Sequence, residues 1–268
     1  MTARSFRERY GGWALIAGAS EGLGAEFAEQ LARRRLSLVL VARRTGPLES
    51  LAETLRARHG VEVRALSLDL SDPSQIERLA AETAGLEVGL VVCNAALAPI
   101  GEFLARSTEE HGRLIDLNCR ATALLAHRYG TAMCARGRGG LVVMTSLAAL
   151  QGTALTAHYA ASKAYLRVLA EGLWEEWRPR GVDVVACMAG PTETPTWSAG
   201  QARRWLGIPP VQRAEDVVDT ALASLGHGPV CVPGAINRLT GFLMQRVLTT
   251  AGAVRAVSGA TRRMYRRG

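Results

Sequence analysis

Short apolar runs alternate with longer segments of helical period along most of the chain. The apolar runs are mostly continuous and rich in aliphatic and β-branched residues, which is typical of strands covered on both faces. The predicted strands are Trp13 to Ala17, Leu38 to Ala42, Val61 to Leu68, Val88 to Cys93, Leu141 to Thr145, Val182 to Met188 and Val230 to Val232. The predicted helices are Gly22 to Arg35, Leu48 to His59, Pro73 to Ala84, Thr108 to Arg136, Ala157 to Trp177 and Ala214 to Leu225.

This alternation predicts βαβ units that feed one parallel sheet. We therefore expect an α/β fold, with a single-domain, Rossmann-type doubly wound parallel sheet of about seven strands and helices on both faces. No linker divides residues 1–235. The alternation breaks at 192–213 and again at 236–268, where we expect a helical, basic C-terminal extension.

Composition narrows the class of protein. The chain has 268 residues, of which 48% are hydrophobic and 21% charged, as in globular proteins. Its five cysteines are scattered without a CxxC pair, which favours reduced thiols and a cytoplasmic location. No signal-peptide stretch or spanning run of about 18 apolar residues occurs.

The net charge of +8 comes mostly from arginine, and we interpret it as a solvated basic surface. A nucleic-acid site is the less favoured alternative, because aromatic residues that could stack on bases make up only 5%. The five histidines show no spacing typical of metal ligands, so no metal site is expected.

A glycine-rich turn, AGASEGLG, follows the first predicted strand and leads into an amphipathic helix. Gly18, Gly22 and Gly24 can adopt left-handed backbone angles, and they let main-chain N–H groups approach a pyrophosphate at the helix N-terminus. The spacing is GxxxGxG rather than GxGxxG, but strand, turn and helix have the order of a dinucleotide-binding fold. A purely structural glycine turn is the alternative.

The end of the second predicted strand indicates which dinucleotide binds. NAD-binding folds normally carry an acidic residue there for the ribose 2′-hydroxyl, yet no Asp or Glu occurs between Gln30 and Leu48. Arg43 and Arg44 instead offer planar donors to a 2′-phosphate, so NADP(H) is favoured over NAD(H). Two surface arginines are the alternative, and Glu21 would weaken 2′-phosphate binding if it pointed inward.

Ser146, Tyr159 and Lys163 form a candidate catalytic set. Tyr159 and Lys163, in YAASK, stand at i and i+4 on one helix face, and Ser146 follows the fifth predicted strand. A phenol with its usual pKa of about 10 is a poor acid or base at neutral pH, and a nearby ammonium group lowers that pKa. We expect Tyr159 to exchange a proton with a carbonyl or alcohol oxygen that Ser146 hydrogen-bonds.

Taken in order, these motifs resemble the short-chain dehydrogenase/reductase family over roughly residues 10 to 235. AGASEGLG resembles the family's TGxxxGxG turn, CNAA its NNAG segment, MAGPTETP its PGxxxT segment, and Ser146 with YAASK its catalytic trio. The opening YGGWALIAGAS is similar to the branch of NADP-dependent 3-oxoacyl reductases and hydroxysteroid dehydrogenases. Ala17, Ala96 and Ala189 depart from the family pattern, each as one small residue for another.

The resemblance implies an NADP(H)-dependent oxidoreductase whose dinucleotide-binding catalytic domain spans 1–235. It implies that Asn118 holds a water linking Lys163 to solvent, that Asp69 and Leu70 flank the adenine, and that Thr192 and Thr194 fix the nicotinamide carboxamide. The cofactor-binding residues that it implies are Gly18, Ser20, Glu21, Gly22, Leu23, Gly24, Arg43, Arg44, Asp69, Leu70, Asn94, Ala95, Tyr159, Lys163, Gly190, Thr192 and Thr194.

The segment 192–213 lies where the family keeps a substrate lid. Its apolar residues Trp197, Trp205, Leu206 and Ile208 favour a hydrophobic, acyl or lipid-like carbonyl substrate, although they could equally pack the lid against the body. A catalytically silent NADP(H)-binding regulatory protein is the main alternative function. Such a protein would typically have lost the tyrosine or the lysine.

Two expectations concern partners. Family members usually self-associate through the two long helices, so the resemblance implies a homodimer or homotetramer. The mixed apolar and basic C-terminal segment is expected to cover the fold or a subunit contact. Contact of that segment with a membrane surface is the less favoured interpretation.

Overall fold

The computed structural model describes residues 6–194 and 211–265. The strands are β1 Trp13–Ala17, β2 Ser37–Ala42, β3 Val63–Ser67, β4 Val88–Cys93, β5 Gly139–Ser146, β6 Val182–Ala189 and β7 Val230–Cys231. The α-helices are α1 Phe6–Tyr10, α2 Gly22–Arg33, α3 Thr45–His59, α4 Pro73–Glu82, α5 Thr108–Ile115, α6 Ala121–Arg136, α7 Ala157–Trp177, α8 Ala214–Ala223, α9 Ala235–Arg246 and α10 Thr250–Tyr265.

The strands form one parallel sheet in the order β3-β2-β1-β4-β5-β6-β7, which confirms the predicted fold class. The chain order reverses between β1 and β4, and a crevice forms at such a switch point beyond the carboxyl ends of the strands. The register aligns those ends: Ala17 pairs with Cys93, and Ser146 pairs with Ala189. Motifs that directly follow these strands therefore meet at one edge of the sheet.

Alternate residues of the central strands supply two apolar layers, one on each face of the sheet. Ile16 and Leu90 pack in the layer covered by α2, α3 and α8. Leu15 and Val91 pack in the layer covered by α4, α6 and α7. Because both faces are buried, the strands have the continuous apolar character that predicted them.

The predicted helix over Thr108 to Arg136 is wrong in one respect. A π-helical turn, Asp116–Arg120, separates α5 from α6. A π turn adds a residue to the local repeat, shifts the face on which side chains emerge, and is frequent at functional sites. Hydrophobic periodicity cannot reveal one inserted residue in a helix that continues on both sides.

Helices α9 and α10 pack against the loop that follows β5. Ser258 Oγ accepts a hydrogen bond from the Ala154 main-chain N–H at 2.9 Å, and the hydroxyls of Thr153 and Thr261 lie 3.1 Å apart. The predicted lid falls mostly on residues 195–210, so Trp197, Trp205, Leu206 and Ile208 lie outside the described residues. Within the described ranges, no helix is long and apolar enough to cross a membrane.

Helices α6 and α7 make a close contact that depends on a glycine. A Cβ at Gly130 would lie 2.3 Å from a ring carbon of Trp177. We expect Gly130→Ala to lower the free energy of unfolding by about 1–3 kcal/mol, because the half-buried, packed ring must move. Gly172→Ala in α7, where a Cβ meets nothing within 4 Å, is the matched control. It should raise the free energy of unfolding by about 0.5–1 kcal/mol. Denaturant titration measures both, and equal effects would contradict the contact.

Candidate active site

A cleft of about 670 Å³ opens at the carboxyl ends of β1, β4, β5 and β6. Most of the residues that the sequence predicts as functional line it, and they come from seven different segments of the chain. These residues are Gly18, Ser20, Glu21, Gly22, Leu23, Arg43, Arg44, Leu70, Asn94, Ala95, Ser146, Tyr159, Lys163, Gly190, Thr192 and Thr194. Gly24, Asp69 and Asn118 do not line the cleft.

The glycine turn after β1 is held tightly against the segment after β4. Gly18 has a φ of +84°, and a Cβ there would lie 2.7 Å from the main-chain N of Ala95. A Cβ at Gly24 would lie 1.9 Å from the carbonyl oxygen of Gly18, which accepts a hydrogen bond from Asn94 Nδ2 at 2.8 Å. The absent side chains thus leave the N-terminus of α2 open to the cleft. This cradle fits the pyrophosphate of a dinucleotide.

Arg43 and Arg44 stand at the rim of the cleft, at the end of β2. Arg44 forms an ion pair with Glu21 at 2.6 Å and also reaches Ser20 Oγ at 3.5 Å. The side chain of Arg43 is exposed and makes no hydrogen bond or ion pair with any other described residue. Glu21 therefore points toward Arg44, and it neutralises one of the two charges that a 2′-phosphate would meet.

Ser146 and Tyr159 lie together because β5 ends where α7 begins its first turn. Ser146 Oγ accepts a hydrogen bond from the Ala148 main-chain N–H at 3.2 Å, which leaves its own O–H free to donate. The Ser146 and Tyr159 hydroxyls also interact by a hydrogen bond. The two groups can thus address one substrate oxygen.

Lys163 lies one helical turn after Tyr159 and is 4% exposed. Its Nζ donates a hydrogen bond to the Met144 carbonyl oxygen at 2.8 Å and sits 5.7 Å from the centroid of the Tyr159 ring. Burial lowers the pKa of Lys163 to about 8, although the nearby thiols of Cys119 and Cys93 oppose the shift. An amine with this pKa releases its proton more readily near neutral pH than an ordinary lysine does.

The pKa of Tyr159 departs from the sequence-based expectation. Burial raises it, the hydrogen bond with Ser146 lowers it, and the proximity of Tyr265 raises it again. The net direction is upward, because the cost of burying a phenolate outweighs the stabilisation that the described neighbours give. The Tyr159 phenol therefore stays protonated at neutral pH.

Asn118, on the π-helical turn, is fully buried, and its side chain hydrogen-bonds both the segment after β4 and helix α7. Its Oδ1 accepts from the Leu97 N–H at 2.8 Å, while its Nδ2 donates to the Leu97 carbonyl at 2.9 Å and to Ser162 Oγ at 3.0 Å. Asn118 thereby fixes the segment after β4 against α7. Its predicted role in holding a water stays a prediction.

Asp69 does not line the cleft. Its carboxylate accepts from the Ser71 N–H and hydroxyl and pairs with Arg113 at 2.7 Å. Burial alone would raise the pKa of Asp69, but these partners lower it overall. The carboxylate thus braces the turn after β3, and its predicted contact with adenine stays a prediction.

Helices α9 and α10 supply the opposite wall of the cleft, whose residues are not among those predicted from the sequence. The wall residues are Thr240, Gly241, Met244, Ala256, Val257, Ala260, Thr261, Met264 and Tyr265. No motif marks them. The available signal was helical spacing: Ala256, Ala260 and Met264 recur at i, i+4 and i+8, as do Val257, Thr261 and Tyr265, which predicts one small and apolar face.

His158, the residue before Tyr159, packs against a second histidine. His111 and His158 are half-buried, and their Nδ1 atoms lie 2.8 Å apart in a hydrogen bond. Phe103 stacks on His111 with ring centroids 4.2 Å apart. The pair lines a second cavity of about 280 Å³ that borders Tyr159.

A glycine-cradled crevice at the switch point of a parallel sheet, with a serine, a tyrosine and a lysine beside it, defines a nicotinamide-dinucleotide oxidoreductase. Comparison with known families agrees. The short chain dehydrogenase family matches residues 12–205, and the chain belongs to that family.

The curated relatives include two kinds of enzyme. A 7beta-hydroxysteroid dehydrogenase of Clostridium sardiniense is 33% identical over 234 residues, which cover 87% of this chain and 90% of that protein. A very-long-chain 3-oxoacyl-CoA reductase of Podospora anserina is 37% identical over 180 residues, which cover 65% of this chain and 53% of that protein. Both are named for reactions at hydroxyl or keto groups.

Solved structures give the same picture. A structure from a study of 7beta-hydroxysteroid dehydrogenase stereoselectivity superposes with a TM-score of 0.89 at 28% identity, covering 96% of this chain and 100% of that one. A short-chain dehydrogenase from Sphingobium yanoikuyae in complex with NADPH superposes with a TM-score of 0.75 at 31% identity, covering 88% of this chain and 96% of that one.

The burial of Lys163 can be tested directly, because it is the sole lysine among the 32 basic residues of the chain. Protein made with isotope-labelled lysine should give one lysine side-chain NMR signal, and we expect it to titrate near pH 8. Its charge is then present below this midpoint and lost above it. Unfolding in denaturant should return the midpoint to about 10.4, and a folded midpoint at that value would contradict the burial.

Proposed function

We propose that the protein is an NADP(H)-dependent oxidoreductase that interconverts a bulky, apolar ketone and the corresponding secondary alcohol. The observation that carries this proposal is the convergence of Ser146, Tyr159 and Lys163 on one side of a cleft whose other side is apolar. Glycines at 18, 22 and 24 support dinucleotide binding. The exposed Arg43 supports a preference for the 2′-phosphate of NADP(H).

When bound, the nicotinamide supplies a hydride for reduction or accepts one in oxidation. In reduction, Tyr159 donates its proton to the oxygen that becomes the alcohol, and Ser146 donates a hydrogen bond to the same oxygen. The raised pKa of Tyr159 keeps the phenol protonated at neutral pH. Oxidation needs the phenolate, so its rate should rise as the pH becomes alkaline.

Lys163 serves both directions of the reaction. A hydrogen bond to the Met144 carbonyl already holds its amine in place, so no entropy is lost in ordering this side chain during catalysis. We infer that it holds ribose hydroxyls of the bound dinucleotide. When protonated it also stabilises the Tyr159 phenolate that forms after proton transfer.

The substrate class follows from the wall that α9 and α10 supply. Ala256 and Ala260 are small, and Val257 and Met264 are apolar, which suits a wide hydrophobic ligand. The sequence match to the 7beta-hydroxysteroid dehydrogenase spans 90% of that protein, whereas the match to the 3-oxoacyl-CoA reductase of Podospora anserina spans 53% of that one. Both facts support a fused-ring ketone or alcohol over a thin acyl chain.

Exposed apolar side chains on α6 and α7 support self-association along those helices. Leu124, Tyr165 and Val168 are 37%, 45% and 65% exposed. We infer a homodimer or homotetramer built on this surface, as the family resemblance implies.

The function is tested by NADPH consumption against ketones graded in size and polarity. We expect turnover with bulky apolar ketones and little with small polar ones. Tyr159→Phe should lower kcat at least about 10²-fold, because the proton donor is lost, and should leave the affinity for NADPH unchanged. Binding of NADPH by the wild type without reduction of any ketone would favour the silent regulatory protein instead.

Cofactor preference is tested at the rim of the cleft. Replacing both Arg43 and Arg44 by Ala should raise KM for NADPH about tenfold or more, because charge-assisted hydrogen bonds to the 2′-phosphate are lost, and should change KM for NADH little. Arg78→Ala is the matched control, since Arg78 is an exposed arginine on α4 that pairs with Glu82. Equal losses with both dinucleotides would contradict the assignment.

A further inference from the structure

One face of α9 is apolar and open to solvent. Ile236, Leu239 and Leu243 recur at i, i+3 and i+7, and they are 54%, 58% and 44% exposed. Phe242 and Val247 widen this face and are 59% and 65% exposed. The segment is expected to cover the fold or a subunit contact, but these side chains stay largely open to solvent in the described structure. We call Ile236, Leu239, Phe242, Leu243 and Val247 the α9 apolar face.

The charged residues in this part of the chain are all basic. Residues 220–268 contain seven arginines and neither Asp nor Glu. Arg246 follows Leu239 by seven residues and so emerges on the same side of α9, while Arg238 flanks it, and both are exposed. An apolar helix face bordered by arginine alone has the pattern of a helix that lies in the interface of an anionic bilayer.

We propose that the α9 apolar face docks the protein on the surface of an anionic lipid bilayer. The apolar side chains enter the boundary between headgroups and acyl chains, and the arginines contact the lipid phosphates and other anionic headgroup atoms. The helix lies on the bilayer and does not cross it.

A second copy of this chain is the less suitable occupant. In a symmetric dimer the same patch meets itself, so Arg238 and Arg246 of both copies would come together. No carboxylate in 220–268 is available to neutralise them. Anionic headgroups supply that neutralisation, and the apolar face is buried in the same event.

The position of α9 gives this docking a role, and this role rests on the proposed function. Thr240, Gly241 and Met244 project from the opposite side of the same helix and line the catalytic cleft. Docking therefore sets the cleft wall directly above the bilayer. A bulky apolar ketone dissolved in the lipid would reach the cleft without crossing bulk water.

The test is flotation of the full chain with vesicles of phosphatidylcholine and phosphatidylglycerol in equal amounts. We expect binding at low salt that weakens as salt rises, and no binding to vesicles of phosphatidylcholine alone. Replacing Leu239 and Phe242 by Ser should lower the partition coefficient at least about tenfold. Both side chains are exposed, so thermal melting and turnover of a water-soluble ketone should not change. Leu104→Ser, at a side chain 93% exposed elsewhere, is the matched control and should bind like the wild type.

Three results would overturn the proposal. The wild type could remain unbound to anionic vesicles at low salt, or the Leu239→Ser/Phe242→Ser variant could bind as tightly as the wild type. The third is dissociation of an oligomer by the double variant in sedimentation velocity, without any vesicle binding by the wild type, which would assign the face to a contact between copies. Because the readout is lipid binding, failure of the docking leaves the proposed reaction untouched, and absence of ketone turnover leaves the docking intact.

Discussion

Parallel pairing of the strands is the constraint on which the site depends. Because β1, β4, β5 and β6 run in one direction and in register, the segments that follow them meet at one edge of the sheet. Gly18, Asn94, Ser146 and Gly190 come from positions spread over more than half of the chain, yet all four line one cleft. The sheet thus converts the order of motifs along the sequence into a compact site, and the apolar layers on its two faces hold those ends rigid.

Burial then sets the chemistry of the side chains at that edge. The same low-polarity surroundings that lower the pKa of Lys163 to about 8 raise the pKa of Tyr159, so the phenol becomes the weaker acid of the two, the reverse of their order in water. Ser146 works against the upward shift of Tyr159 through a hydrogen bond. A proton can therefore pass to a substrate oxygen from a phenol that is neutral at rest, and the ammonium form of Lys163 stabilises the anion that remains.

The sequence was sufficient for the parts of the molecule that local chemistry dictates. Continuous apolar runs predicted the buried strands, and the order of the glycine turn, Ser146 and YAASK predicted which residues share the cleft. The sequence was insufficient for features that depend on packing between segments distant along the chain. The ion pair between Glu21 and Arg44, the π-helical turn at Asn118 and the wall supplied by α9 and α10 have no local signature, and the net pKa of Tyr159 depends on burial that no motif encodes.

The proposed reaction consists of proton transfer at Tyr159 coupled to hydride transfer at the carbonyl carbon. Transfer of deuterium from NADPH that carries two deuterium atoms at nicotinamide C4 to a bulky apolar ketone, read by mass spectrometry of the alcohol, measures the hydride transfer most directly. We expect the product alcohol to carry one deuterium at the former carbonyl carbon. Tight binding of the labelled NADPH with no deuterium in the product of any ketone would contradict the account.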